Sequence, residues 1–378
     1  MVYCYSMTLA MGDRVERAGA CAAASRIVHS LFARAPMPAL SVAVADRAGV
    51  IWAEALGKTD LEFNIAASPD HVFRLGSVSK AVTATTAARL VTRGLLDLDV
   101  PIAYWLPDLP AHHRATTTRQ LLTHRGGVRH YAPKDLDPKA LGGRITNRVY
   151  ATRDEILALF IDDPLVAPPG AEVSYSSFGY TLASFVMEAT AGTDFVRLIM
   201  DEIALPFGLP SLAADEVLEI VPSRARGYFP ACEFELFAAA MQEPERPRLA
   251  GDFANVTLSN PAFCWAGAGL LMAMPDLARF GAAHLDGPLA RISDVERSLL
   301  FTPLTEASDK SPPLGLGWRV AHDAQGRLRW HHAGATPGGR ASLVVYPELG
   351  LSIALASNVM SAPGDVLGPS SELADAFA

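Results

Sequence analysis

Apolar positions recur every three or four residues across 13–34, at Val15, Ala18, Ala22, Ile27, Val28 and Leu31, and this spacing predicts a helix. Pro36 and Pro38 stop it. Two apolar runs follow, ALSVAVAD and VIWAEALG, on either side of Arg47-Ala48-Gly49. Val42, Val44, Ile51 and Trp52 are sheet formers, so the pair reads as a β-hairpin. A second helical pattern starts at Ser77, runs to Arg93 and closes on Gly94. Between 101 and 300 alternation is scarce, and helical spacing marks 153–161, 178–190, 194–204 and 275–284. Alternation then returns in four short runs, LGWRVAHD, GRLRWHH, GRASLVVYP and LSIALASN, separated by turn residues.

Strands at both ends with helices between them predict an antiparallel sheet closed by sequence-distant parts. The expected fold is α/β (α+β), with helices packed against that sheet. Residues 1–100 and 301–378 are expected to build the sheet domain, and 101–300 an inserted, mostly helical domain. The first ten residues are expected to lie outside ordered structure. The order of elements leaves room for a final helix, but the small, polar segment SAPGDVLGPSSELADAFA is expected to fray.

Composition narrows the class. The 378 residues are 50% hydrophobic and 19% charged, which excludes a disordered chain. A formal net charge of −8 argues against broad nucleic-acid binding. Cys4, Cys21, Cys232 and Cys264 form no CxxC pair and too sparse a set for a disulfide scaffold. No run reaches the about 18 apolar residues of a membrane span. Residues 1–11 lack the basic start and long apolar core of a secretory signal. A cytoplasmic protein is expected, with the periplasm left open and the oligomeric state undetermined.

The commonest catalytic signatures are missing: no HExxH, no GxxxxGK[ST] and no GxSxG. His112-His113, His124 with His130, and His331-His332 lack the spacing of a zinc site and read as surface or hydrogen-bonded histidines. No metal or cofactor is expected. The strongest local signal is Leu75-Gly76-Ser77-Val78-Ser79-Lys80. Ser77 and Lys80 are three apart on one helix face, so the amine reaches back to the hydroxyl and can accept its proton. The plainer alternative is a capping serine and a solvated lysine. Two further segments bear on the choice. A Pro-Gly turn at 168–170 leads through Tyr175 into a helix starting near Ser177, with Tyr180 as a core residue. His331-His332-Ala333-Gly334-Ala335 forms a strand with small residues against which an acyl group can lie.

Taken in order, these landmarks resemble the serine beta-lactamase-like and penicillin-binding-protein-like superfamily. The class C-type members are most similar: family VIII carboxylesterases, D-aminopeptidase-like proteins and the mitochondrial beta-lactamase-like protease branch. The resemblance runs from about Pro38 to Asn358 and also includes Leu121-Leu122-Thr123-His124-Arg125-Gly126-Gly127 and Ala266-Gly267-Ala268-Gly269-Leu270. It implies a beta-lactamase/transpeptidase-like fold. It implies Ser77 as nucleophile, Lys80 as proton acceptor or network holder, and Tyr175 as base and leaving-group acid. The N–H groups of Ser77 and Ala335 are the implied oxyanion hole.

Two departures matter. Ser177 stands where the family usually carries asparagine, and His332 where lactamases carry a lysine before a small residue and Gly334. A shorter hydroxyl and a mostly neutral imidazole weaken the case for lactam hydrolysis. Ester hydrolysis needs neither. Arg340 is a candidate carboxylate anchor, and Trp105, Tyr131 and Trp318 are candidate cleft walls. The leading expectation is hydrolysis of short-chain carboxylic esters through an acyl-enzyme on Ser77, with Ser177, His332, Gly334 and Ala335 touching substrate. A D-amino-acid peptidase or amidase, or a weak beta-lactamase, is the alternative within enzymes. A catalytically idle peptidoglycan-binding, scaffold or filament protein is the alternative outside them. The expected partner is a small ester or peptide-like molecule, not nucleic acid.

Overall fold

The computed structural model describes the chain except residues 5–10, 138, 140–142, 232–248, 250, 257–258 and 308–311. Cys232 and the side chain of Val15 lie outside the described residues. One sheet dominates the fold. Its strands are β1 (Val2–Cys4), β2 (Ala39–Asp46), β3 (Val50–Asp60), β4 (Ile65–Ala66), β5 (Arg319–His322), β6 (Leu328–Thr336), β7 (Gly339–Tyr346) and β8 (Leu351–Ser357). They are ordered β1-β3-β2-β8-β7-β6-β5, with β4 beside β3, and every pair is antiparallel. The two ends of the chain meet at β2 and β8, where Leu40 lies opposite Ser357 and Asp46 opposite Leu351.

Alternation along the strands sorts side chains onto two faces. Leu40, Val42 and Val44 share a buried cluster with Val28 and Leu31 of α1 (Met11–Arg34) and Leu373 of α5 (Gly368–Phe377). Ala43, Ala45, Ala354 and Ala356 turn to the other face, where Leu277 and Phe280 of α4 (Met274–Ala282) pack. Alanines there let α4 come close. A Cβ on Gly281 would clash with the Ser352 hydroxyl.

Two expectations about the ends change. β1 pairs with β3, Cys4 lying opposite Trp52, so residues 2–4 belong to the sheet. The closing segment forms α5 because Leu373 and Ala374 are buried against α1 and the sheet. Arg327 fastens it, bonding Asp323, Asp375 and the Ser371 hydroxyl. The remaining long helices are α2 (Ser79–Thr92) and α3 (Ser177–Ala191), which pack on one another beside the sheet. Among the described residues no helix is long and apolar enough to cross a membrane.

Candidate active site

Ser77 sits on a single 3₁₀ turn, Gly76–Val78, that runs into α2. A short antiparallel pairing of Val72–Arg74 with Leu270–Ala273 holds this turn from one side, extended by a bond from the Leu75 N–H to the Leu270 carbonyl at 3.0 Å. Gly76 adopts φ +51°, and a Cβ there would stand 2.8 Å from the Ala335 nitrogen. Gly334 is pressed as closely against the same turn, its missing Cβ facing the Leu75 carbonyl and the Ser77 nitrogen. β5 pairs only with residues 328–331 of β6, leaving 332–336 on that side free to meet the turn. Two glycines thus bring the backbone of Ser77 and Ala335 together.

Lys80 lies one turn along α2 and is wholly buried, so the solvated-lysine alternative does not hold. The helix has no side-chain cap, so Ser77 is not a capping serine either. The ammonium has three N–H donors, and three oxygens surround it: Ser77 Oγ at 3.2 Å, Ser177 Oγ at 3.0 Å and the Gly267 carbonyl at 2.6 Å. It also faces the ring of Tyr175 at 4.8 Å. A buried charge is tolerated only when matched in this way.

Tyr175 reaches the same point from the start of α3. Its hydroxyl donates to Ser77 Oγ at 2.7 Å. Burial opposes ionisation of this phenol, but the Lys80 charge, hydrogen bonding with Lys80 and Ser77, and the Arg319 charge together outweigh burial. The Tyr175 pKa therefore falls below the ordinary phenol value of 10.0. The approach of Tyr175 is set by Gly170 at φ +85°, whose N–H donates to the Arg125 carbonyl while Arg125 bonds the Gly170 carbonyl in return. Ser176 then caps α3, accepting from the Gly179 N–H at 2.9 Å.

A cavity of about 290 Å³ opens from Ser77. Ser177 and Ala335 line it, together with Tyr131, Leu136, Ile145, Phe263 and Met360. Among the described residues, no Lys, Arg, Asp or Glu lines it. His332 does not line it. This imidazole is buried, bonds its own neighbour's carbonyl (Ala333) through Nδ1, and is held well below pKa 6.5 by burial and by Lys80 and Arg319. It is therefore neutral and offers no positive charge to a substrate carboxylate. Gly334 also lies behind the cavity, where its role is close approach. Arg340 is engaged with the carbonyls of Met360 and Gly364. Of the three aromatic wall candidates, Tyr131 lines the cavity, Trp318 is a core residue stacked near Phe280, and Trp105 lines a separate cavity with Asp108 and Arg153.

Other groups at the site were not assigned from sequence. The Gly267 carbonyl is a backbone acceptor and carries no side-chain signal. Cys264 lines the cavity, its thiol pushed up to about 12 by burial. His124 and His130 flank Tyr175, with ring centroids 4.3 and 5.4 Å away. His124 stands within the Leu121–Gly127 landmark and His130 three residues beyond it, but their spacing says nothing of the backbone amides they meet.

The beta-lactamase family pattern matches residues 24–376 of the chain. The mitochondrial serine beta-lactamase-like protein LACTB of Mus musculus is 25% identical over 412 residues, covering 85% of this chain and 72% of its own. Esterase EstB of Burkholderia gladioli is 30% identical over 179 residues, 45% of each chain. Among solved structures, the D-amino acid amidase of Ochrobactrum anthropi SV3 superposes with a TM-score of 0.78 at 22% identity, covering 94% of this chain and 98% of its own. The chain belongs to the beta-lactamase family and is a serine hydrolase of the beta-lactamase/penicillin-binding-protein fold.

Proposed function

We propose that the protein hydrolyses esters of short, uncharged carboxylic acids through an acyl-enzyme on Ser77. The observation that carries this reading is the Ser77 hydroxyl, held between Tyr175 and Lys80 at the mouth of a largely apolar cavity whose described lining residues carry no Lys, Arg, Asp or Glu. Tyr175, as phenolate, takes the Ser77 proton while Oγ attacks the ester carbonyl. The N–H groups of Ser77 and Ala335 receive the developing oxyanion. The tetrahedral intermediate collapses, the C–O bond to the leaving group breaks, and Tyr175 returns its proton to the alkoxide. Water repeats the sequence on the acyl-enzyme, releasing the acid. Lys80, bonded to Ser77 Oγ and facing the Tyr175 ring, stabilises the phenolate.

The cavity supports apolar acyl groups over amino-acid substrates. Each buried methylene contributes about 0.8 kcal/mol, whereas an α-ammonium placed there would be desolvated and meets no carboxylate among the described lining residues. The 30% identity to a protein named an esterase supports the same reading. The test is a panel of p-nitrophenyl esters of increasing acyl length, a chromogenic cephalosporin and D- and L-aminoacyl anilides, run on wild type and Ser77→Ala. Ester turnover should exceed lactam and anilide turnover and vanish in the variant. Faster anilide than ester turnover would replace the esterase reading with an amidase one.

A further inference from the structure

The chain enters α3 through Ser174-Tyr175-Ser176-Ser177, and three backbone amides of this segment end on one loop. The Ser174 N–H donates to the His124 carbonyl at 2.7 Å. The Ser176 N–H donates to His124 Nδ1 and the Ser177 N–H to His130 Nδ1, each at 3.2 Å. The first amides of a helix have no intrahelical acceptor; here two imidazoles supply it. A backbone N–H can only donate, so both Nδ1 atoms are unprotonated and both rings carry their proton on Nε2. His124 itself holds φ +58°, a left-handed conformation that costs free energy in a non-glycine residue and clusters at functional sites.

We propose that His124 and His130 are positioning residues that clamp the segment on either side of Tyr175 and so hold its hydroxyl on Ser77. This rests on the role assigned above to Tyr175. It requires both imidazoles to stay neutral, and their surroundings enforce that. His130 is held to about 4 by burial and the Lys80 charge, Asp135 opposing and Arg129 adding to it. His124 is held well below 6.5 by burial, then Lys80, His332, Arg319 and His130.

The test uses His130→Phe, which keeps a ring without an acceptor, and His130→Asn, which keeps an acceptor. Ester hydrolysis is followed against pH, with active sites counted by a fluorophosphonate. In His130→Phe, kcat should fall about 100-fold with KM within about threefold, as expected for a small misplacement of the base. Tyr175 would also leave Lys80, so the pH limb of kcat/KM should move upward. His130→Asn should recover most of both. A Phe variant with the wild-type kcat and limb, or both variants losing activity alike with the limb unmoved, would overturn the proposal. Nitrogen NMR of the wild-type imidazoles decides independently of any variant: Nε2–H tautomers are expected for both, and an Nδ1–H at either ring contradicts the clamp. Absence of fluorophosphonate labelling in the wild type would instead sink the esterase reading and is separable from these outcomes.

Discussion

A side chain on Gly334 would begin 2.5 Å from the backbone nitrogen of Ser77. Only bare backbone fits between the β6 edge and the nucleophile turn, and that closeness sets the amides of Ser77 and Ala335 beside one another. Gly334→Ala should push them apart. We expect kcat for ester hydrolysis to drop about 10²- to 10³-fold, the cost of losing an oxyanion donor. Steady-state kinetics on a p-nitrophenyl ester should show KM changing far less. Unaltered kcat would remove Ala335 from the oxyanion hole.

Lys80 sets the ionisation of Tyr175. In the proposed mechanism the working form is the phenolate, so activity should rise as pH rises through the Tyr175 pKa, which lies below 10.0. Lys80→Met removes the main charge that lowers it while burial still raises it. The rising limb of the kcat/KM profile should therefore shift to higher pH, with strongly reduced activity at pH 7. A limb that stays in place would show that another group supplies the base.

Met360 lines the Ser77 cavity. Met360→Trp narrows the cavity and leaves Ser77, Lys80 and Tyr175 themselves unchanged. Longer acyl esters should lose kcat/KM by about fourfold for each methylene no longer buried, from about 0.8 kcal/mol apiece, while acetate esters are unchanged. A uniform loss across acyl lengths would place the acyl chain elsewhere.

Much of this arrangement is readable from periodicity and local chemistry. The hairpin over 39–57, the terminal strand runs and the helix carrying Lys80 follow from alternation and three-residue spacing. The contacts that complete the site do not. The Gly267 carbonyl lies 187 positions from Lys80 and leaves no side-chain trace. The histidine clamp depends on ring nitrogens meeting amides 52 and 47 positions away. Spacing rules detect neighbours on one helix or strand, whereas these pairs meet only when α2, α3 and their loops pack. The closing segment misled for a related reason: its few apolar residues suffice because α1 and the sheet already form a surface for them.

That docking has its own acid limit. The Asp323 side chain is shielded from solvent, which would raise its pKa, but the Arg327 amide, the Arg327 side chain and the Ser371 hydroxyl together bring it down to about 2. Its folded value lies below the unfolded 3.8, so its contribution is fully present above about pH 4 and disappears as pH falls towards 2. Arg327→Met should cost about 2 kcal/mol at pH 7, the loss of charge-assisted hydrogen bonds. Urea unfolding of wild type and variant should show this gap narrowing between pH 4 and pH 2. A gap independent of pH would mean that packing, and not the carboxylate, holds α5.

The central claim is an acyl-enzyme on Ser77, and intact-mass spectrometry tests it most directly. Quenching the reaction with a p-nitrophenyl ester of a short acid should reveal a fraction of protein heavier by one acyl group. Peptide mapping should place that group on Ser77, and Ser77→Ala should carry none. An adduct on another residue, or undiminished ester turnover by Ser77→Ala, would contradict the account.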